Sequence, residues 1–241
     1  MLLGARNRQW LALLEGEHAN LRAALAWMLE GAGVDPDQVR LGQRLAAALR
    51  GLWRMHCHFT EGRRWLDVAL AKTADIPSSL HIQLLWSAGA MNAHQRNHAA
   101  ARAQYERALA LAQETGETAT AACLLSVLGE GVFREGDHER ARALWEEAAV
   151  LVQDLPENPW TAYPPKNLGY LALLAGDFAR ATDLLQDALA IARRIDHAWG
   201  VAEAQALLAE LARQRGDLER AGELFLVSLR SEEHTSELQS H

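Results

Sequence analysis

The feature that most constrains the fold is a segment pattern that recurs at a spacing of 40 residues. Three helix openings share the pattern Gly-Asp-x-x-x-Ala and begin at Gly136, Gly176 and Gly216. Ala101 occupies the alanine position one period earlier, and Gly62 occupies it in a weaker copy before that. A fixed period of this size indicates a repeat architecture, in which each unit buries its apolar face only against its neighbours.

Each repeat is predicted to be a pair of helices. Alanine and leucine dominate the chain and β-branched residues are sparse, which favours helix almost throughout. The Gly-Asp pairs are expected to close one helix and cap the next. The expected hairpins pair residues 79–95 with 99–114, 119–134 with 138–153, 165–175 with 178–195, and 199–215 with 218–229.

The second helix of each repeat carries a small residue and, four positions later, a large apolar residue on the same face. We expect the small residue to allow close approach of the two helices. The small residues are Gly62, Ala101, Ala141, Ala181 and Ala221, and the large ones are Leu66, Tyr105, Trp145, Leu185 and Phe225. The first helices share their own small residue, at Gly89, Gly129, Gly169 and Ala209.

This alternation of small and large residues resembles the tetratricopeptide repeat, although the period exceeds that family's value of about 34. The resemblance implies an all-α fold, a right-handed superhelical solenoid of antiparallel helix hairpins. Residues 35–229 would form five hairpins, the last one truncated. Residues 1–34 would form an N-terminal capping segment with one helix over Arg6–Glu30.

The segment Trp10–Trp27, with its run Glu-His-Ala-Asn-Leu-Arg, resembles part of large bacterial signal-transduction ATPases that act as LuxR-type or SARP-type transcriptional regulators. Glu61–Leu66 is similar to the opening of their first repeat. The resemblance implies a sensor or oligomerisation arm coupled to an NTPase and a helix-turn-helix domain. This sequence contains no Gly-x-x-x-x-Gly-Lys-Ser/Thr loop, so ATP and DNA binding are assigned to none of its residues.

Residues 230–241 do not continue the repeat pattern. The run from Arg230 to Ser240 resembles the in-frame translation of a sequencing adapter. We therefore expect these residues to be a non-native or disordered tail, and the repeat array to continue in the native protein.

Composition excludes several classes of function for this fragment. The net charge of −7 provides no basic surface for direct nucleic-acid binding. The two cysteines have no framework spacing, which favours a reducing cytoplasm, and no apolar run reaches the ~18–20 residues that span a bilayer. We expect a cytoplasmic protein without membrane contact, with self-association through the repeats as a possibility.

The sequence offers little for catalysis or metal binding. His56-Cys57-His58 is the one dense cluster of metal-ligand types, but no second ligand pair stands at a useful spacing, so packing in a hairpin turn is favoured. Cys123 lies in an apolar helix and is expected to be a buried small hydrophobe. No nucleophile, base and orienter can be assembled, so we expect no enzyme activity, no cofactor and no metal.

The tetratricopeptide pattern directs attention to a concave groove lined by the first helices. Aromatic and charged side chains there suit a protein, a peptide or a small effector. The alternative is a solvated wall without a specific ligand. The candidate groove residues are Trp86, His94, Glu130, Arg134, Lys166, Tyr170, Glu210 and Gln214.

One repeat is irregular, because residues 155–165 hold four of the chain's six prolines. Proline disfavours helix at the preceding residue, so the first helix of that repeat is predicted to be shortened or kinked. The segment is either a surface loop or a bend that contacts a partner. At the level of function, the alternative to a regulator fragment is a freestanding scaffold or adaptor without a link to transcription.

Overall fold

A computed structural model describes the backbone of residues 5–72 and 76–240, and the side chains of residues 10, 12–72 and 76–229. Every regular element in those ranges is helical, which confirms the predicted all-α fold. The α-helices are α1 (Ala5–Gly16), α2 (His18–Glu30), α3 (Pro36–Ala48), α4 (Arg50–Met55), α5 (Phe59–Ala71), α6 (Ser78–His94), α7 (His98–Glu114), α8 (Thr118–Arg134), α9 (His138–Val152), α10 (Tyr163–Leu174), α11 (Phe178–Arg194), α12 (Ala198–Gln214) and α13 (Leu218–Ser240). A 3₁₀ turn at Pro159–Ala162 precedes α10. None of the helices described is both long and apolar enough to cross a membrane.

The chain divides into two compact units, and residues 6–124 form the N-terminal one. Helices α2, α3, α5 and α6 enclose its core, which contains the fully buried side chains of Leu29, Trp53 and Met91. Helices α6 and α7 pack as a hairpin. Cys123 is buried in this unit as expected, and burial raises the pKa of its thiol to about 12.

The C-terminal unit contains residues 125–240. Helix pairs α10–α11 and α12–α13 pack as hairpins, and α9 packs against α10. Trp145 and Leu171 belong to one buried cluster, and Leu173 and Leu211 belong to the next. Each hairpin thus buries its apolar stripe against its neighbours within the unit, as repeat architectures require.

The Gly-Asp turns have the structure that the sequence predicts. Gly136, Gly176 and Gly216 adopt φ angles of 91°, 75° and 83°, in the left-handed region that glycine enters without a steric penalty. The carboxylate of each following aspartate accepts the backbone N–H three residues later, at 3.1 Å in all three turns. Each turn therefore ends one helix and caps the next.

The large residues of the second helices pack against the small residues of the first helices. A Cβ built on the glycine would overlap the partner side chain in the pairs Gly89–Tyr105, Gly129–Trp145 and Gly169–Leu185. The last hairpin differs, because Phe225 is 38% exposed while the other large residues are buried. Its first helix carries Ala209 in place of glycine.

Two helix boundaries differ from prediction. The expected helix Arg6–Glu30 is interrupted at Glu17, which has φ −92° and ψ 7°, because Gly16 before it is a poor helix former. The boundary expected after residue 229 does not coincide with a helix end, since α13 runs through Ser240. Side chains beyond residue 229 lie outside the described set, and the origin of that segment stays a prediction.

The proline-rich segment shortens its helix as predicted. The 3₁₀ turn is followed by an α10 of 12 residues, whereas α6, α8 and α12 each have 17. Pro164 and Pro165 lie buried in the first turn of α10, where a missing N–H leaves no helical hydrogen bond unmade. Asn158 opens the 3₁₀ turn with a reciprocal capping box to Thr161.

Candidate functional site

Two of the eight predicted groove residues lie in the N-terminal unit, on α6. The guanidinium of Arg50 lies over the ring of Trp86, 4.8 Å from its centroid. The ring of His94 stacks on Phe59 with the centroids 4.6 Å apart. Both groove side chains therefore contact neighbouring helices of their own unit, which leaves less of each surface to a ligand.

Four groove residues at the ends of first helices in the C-terminal unit form local polar contacts. The Nε of Arg134 donates to the backbone carbonyl of Glu130 at 3.2 Å. The carboxylate of Glu210 accepts two hydrogen bonds from Arg213, both 2.7 Å, and one from Gln214 at 2.8 Å. These hydrogen bonds, with Arg213 as the largest cause, lower the pKa of Glu210 to about 2. Such exposed pairs contribute little to stability.

The remaining two groove residues, Lys166 and Tyr170, lie one turn apart on α10. The Tyr170 ring packs at a tilt beside Phe133, with centroids 5.4 Å apart. Lys166 points into a larger cluster, which we call the aromatic patch and define as Trp160, Tyr163, Lys166, Trp199 and Glu203. The patch joins the 3₁₀ turn, the start of α10 and the start of α12.

The ammonium group of Lys166 is the centre of the aromatic patch. Its Nζ lies 4.5 Å from the ring centroid of Tyr163 and 5.8 Å from that of Trp199. The same Nζ donates to the Glu203 carboxylate at 3.1 Å. The Trp160 and Tyr163 centroids are 5.3 Å apart, and those of Tyr163 and Trp199 are 6.3 Å apart. Three aromatic rings and one ion pair therefore form a continuous surface.

The side chains of the aromatic patch differ in burial, and this determines which of them is open to contact by a ligand. The Lys166 side chain is 12% exposed and that of Glu203 29%, whereas Trp199 as a residue is 41% exposed. A partly desolvated cation over an aromatic face contributes about 0.5–2 kcal/mol. Lys166 is thus held in place by its neighbours, and the open indole of Trp199 is left as a rigid contact area.

Sequence reasoning names Lys166 but none of the other four patch residues. The predicted groove positions lie three residues before, one after and five after the small residue of each first helix, so they do not reach the first turn of α10 or α12. Trp160 and Tyr163 lie in the proline-rich segment, which disturbs the helical count. Trp199 and Glu203 were recognisable, because Glu203 stands four residues after Trp199 and seven before Glu210, on one face of α12.

A cavity of about 700 Å³ lies among α11, α12 and α13 of the C-terminal unit. Leucines at positions 189, 208, 211 and 224 contribute apolar wall. Arg193, Arg215 and Arg220 contribute positive charge, and Asp217 lies among them. The volume falls in the range of small-molecule sites. The cavity is therefore a second candidate site, with the size and positive charge that suit a small acidic molecule.

Comparison with known proteins agrees with the repeat structure. Residues 120–194 match the tetratricopeptide repeat family. No curated protein matches the sequence. The chain therefore contains tetratricopeptide-like repeats, an architecture typical of protein-interaction modules and generally without catalytic groups of its own.

Solved structures share the fold at low sequence identity. BtubC (BKLC) from P. vanneervenii is 20% identical, with a TM-score of 0.74 and 92% of each chain covered. The Rap conjugation gene regulator of the plasmid pLS20, in complex with the Phr* peptide, is 14% identical, with a TM-score of 0.62 and coverage of 98% of this chain and 75% of that one.

A third similar structure is the Signal Transduction ATPase with Numerous Domains (STAND) protein with a tetratricopeptide repeat sensor from Pyrococcus horikoshii. It is 14% identical, with a TM-score of 0.66, and the match covers 91% of this chain but 34% of that protein. At these identities the three likenesses show the fold alone, and they confirm a helical repeat architecture.

Proposed function

We propose that this chain is a non-enzymatic, effector-sensing module that binds a peptide or protein segment on the aromatic patch. The observation that carries the proposal is the open Trp199 indole beside the Lys166–Glu203 pair. Large, rigid aromatic side chains are the residues that dominate binding energy at interfaces. Because the rings and the ion pair already contact one another, little ordering is needed on binding.

The chemistry of the patch restricts the ligand. An apolar or aromatic anchor residue gains contact area on Trp199 and Tyr163. Covering the Lys166–Glu203 pair with a group that offers no hydrogen bond is unfavourable, since buried charges require polar partners. We therefore expect an extended segment with one apolar anchor and polar backbone or side-chain groups next to it.

We further infer that the module serves as the sensor of an NTPase-coupled bacterial transcriptional regulator. The support is the resemblance of Trp10–Trp27 to such regulators, and the two fold neighbours whose names include a peptide-bound gene regulator and a STAND sensor. Bound ligand would shift the larger protein between resting and oligomerising states by its differential affinity for the two. The alternative is a freestanding adaptor. A phosphate-binding loop encoded upstream in the same frame favours the regulator, and an independent start site favours the adaptor.

The binding proposal is tested with a displayed peptide library. Peptides selected on the wild-type chain are titrated against Trp199→Ala and against the control Trp27→Ala, which removes an exposed indole, 67% exposed, from the other unit. A loss of about 2 kcal/mol, roughly 30-fold in Kd, is expected for Trp199→Ala if it is a binding hot spot. The control is expected to bind like the wild type.

Circular dichroism establishes that both variants remain folded. Equal affinity in the wild type and Trp199→Ala would refute the patch as the binding site. If selected ligands were instead lost on Arg220→Ala, the site would be the cavity among α11, α12 and α13.

A further inference from the structure

Two histidine–glutamate pairs meet in the N-terminal unit, at the sequence positions Glu15-x-x-His18 and His58-x-x-Glu61. We call these four residues the histidine–glutamate cluster. They bond crosswise: His58 Nε2 lies 3.1 and 3.3 Å from the two carboxylate oxygens of Glu15, and His18 Nε2 lies 3.0 Å from Oε1 of Glu61. Residues 43 positions apart in sequence are thereby brought together twice.

Local backbone structure directs these side chains toward one point. The break at Glu17 separates α1 from α2 and places Glu15 and His18 on either side of a turn. Cys57 adopts a φ of 58°, in the left-handed region, between His56 and His58, the residue that precedes α5. A non-glycine residue in that region is strained by about 1–2 kcal/mol. Arg96 and Asp196 adopt the same region, at 61° and 52°, so this conformation belongs to the turns between helices and is not specific to the cluster.

The geometry of three of these side chains suits a metal ion. One ligand atom each from Glu15, His18 and His58 lie within 4.8 Å of one another. In tetrahedral zinc sites with bonds of about 2.0–2.1 Å, adjacent ligand atoms are separated by about 3.3 Å. The Glu15–His58 pair is already at that spacing. The His18 and His58 rings are stacked, with centroids 4.4 Å apart and 22° between their planes, so one ring must turn for both to face a common ion.

Burial and neighbouring charge are compatible with a bound cation. The four cluster side chains are between 17% and 36% exposed, so an ion can enter without unfolding the unit. His56 adds a third imidazole, with Nδ1 3.6 Å from Glu15 Oε2. Arg22 lies at the far side, 3.8 Å from Oε2 of Glu61. That arginine pairs with Glu61 and leaves Glu15 to the histidines.

We propose that Glu15, His18 and His58 form a binding site for Zn²⁺, with Glu61 orienting the His18 ring or completing the coordination. Two imidazole nitrogens with one carboxylate select zinc or a similar transition metal over Mg²⁺ and Ca²⁺, which prefer all-oxygen sites. The ion would connect the end of α1 with the starts of α2 and α5. This proposal is independent of peptide binding, since the aromatic patch lies in the other unit.

The sequence alone does not indicate the histidine–glutamate cluster, because its two Glu/His pairs lie far apart in the chain. His56-Cys57-His58 alone suggests a single short cluster. The complementary signal is the Glu-x-x-His spacing at Glu15–His18, a spacing that metal sites use on helices. Only the fold places it beside His58.

The test uses the full chain after chelator treatment, titrated with ZnCl₂ by calorimetry and with Co²⁺ by visible absorption. One ion per chain is expected, and Glu15→Gln and His58→Asn are each expected to weaken binding by about tenfold or more. Three controls are expected to bind like the wild type: Cys57→Ala, the exposed His98→Asn, and a tail variant with His234→Asn and His241→Asn.

Absence of Zn²⁺ binding by the wild-type chain, or unchanged affinity in both ligand variants, would refute the site. Loss of binding in any of the three controls would place the metal elsewhere and refute it equally. Glu15→Gln keeps the test valid if His58→Asn fails to fold, because Glu15 is the most exposed side chain of the four.

Discussion

Single residues hold each hairpin closed, most clearly where Trp145 packs against Gly129. The indole is 1% exposed, and its Nε1 donates to the backbone carbonyl of Ser126 at 3.0 Å. A Cβ built on Gly129 would overlap both Nε1 and Cδ1 of that indole. The absence of a side chain at position 129 is therefore what permits the ring to reach the neighbouring helix.

This contact predicts opposite effects for two glycines on α8. Gly129→Ala forces the indole to shift and should lower the free energy of unfolding by about 1–3 kcal/mol. Gly131→Ala is the matched control, because nothing lies within 4 Å of its added Cβ. It should raise the free energy by up to about 1 kcal/mol through helix propensity. Urea unfolding measures both, and a similar change in the two variants would contradict the packing argument.

Among single residues, the 40-residue period of the sequence predicted those that pack within the hairpins, but it did not predict those that form the aromatic patch. Gly129 and Trp145 are identifiable because a small residue and a large apolar residue recur at their positions every 40 residues and pack in the same way in several repeats. Trp199 beside Lys166 occurs once and depends on the proline turn that sets the start of α10. Periodicity carries no information about contacts that only one repeat makes.

At the scale of helices, aspartate caps distinguish some helix starts from others. Asp137, Asp177 and Asp217 each accept an amide hydrogen bond from the first turn. Asn97 and His197 occupy the equivalent position before α7 and α12 and make no side-chain cap bond. The capped helices are therefore those whose first turn depends on a single carboxylate.

Removing one cap tests that dependence. Asp177→Ala should destabilise the chain by about 0.5–2 kcal/mol, because the Arg180 N–H loses its acceptor. Asp177→Asn retains an acceptor and should be close to neutral. Hydrogen exchange at the start of α11 should increase in the alanine variant only. Equal exchange in both variants would show that the cap bond does not stabilise this turn.

Helix boundaries were predictable where caps and glycines mark them, and less so elsewhere. From α6 to α12 the sequence indicates starts and ends to within about two residues, the usual uncertainty of such limits. The largest of these differences is at α10, which begins two residues early because Pro164 and Pro165 take its first turn, and outside this range the break at Glu17 was not predicted. Proline fits the first turn of a helix, so its presence alone does not locate the start.

At the scale of the whole molecule, each unit contains a partly buried histidine whose pKa is lowered. Burial lowers the pKa of His81 in the N-terminal unit and of His197 in the C-terminal unit. Arg107 acts in the same direction on His81, and Lys166 on His197. Acidification is therefore expected to weaken both units over the same pH range.

The direction in which the free energy of unfolding changes with pH follows from the number of protons that each state binds. Below the ordinary histidine pKa of 6.5, the unfolded chain binds protons that the folded chain does not. The free energy of unfolding should therefore fall as the pH decreases from 6.5 toward the lowered folded-state values. A further loss should follow below 4.5, where the unfolded chain binds protons at Glu15 and Glu210 while the lowered pKa values keep both carboxylates ionised in the folded chain.

Urea unfolding between pH 7.5 and pH 5, in buffer with a chelator to exclude metal effects at the histidine–glutamate cluster, measures the first window. The double variant His81→Gln/His197→Gln should show a smaller decrease between pH 6.5 and pH 5 than the wild type, since two of the groups that bind protons only on unfolding are gone. The exposed His98→Gln should follow the wild-type curve. A wild-type stability that is constant across this range would show that the two histidines bind protons equally in the folded and unfolded chain.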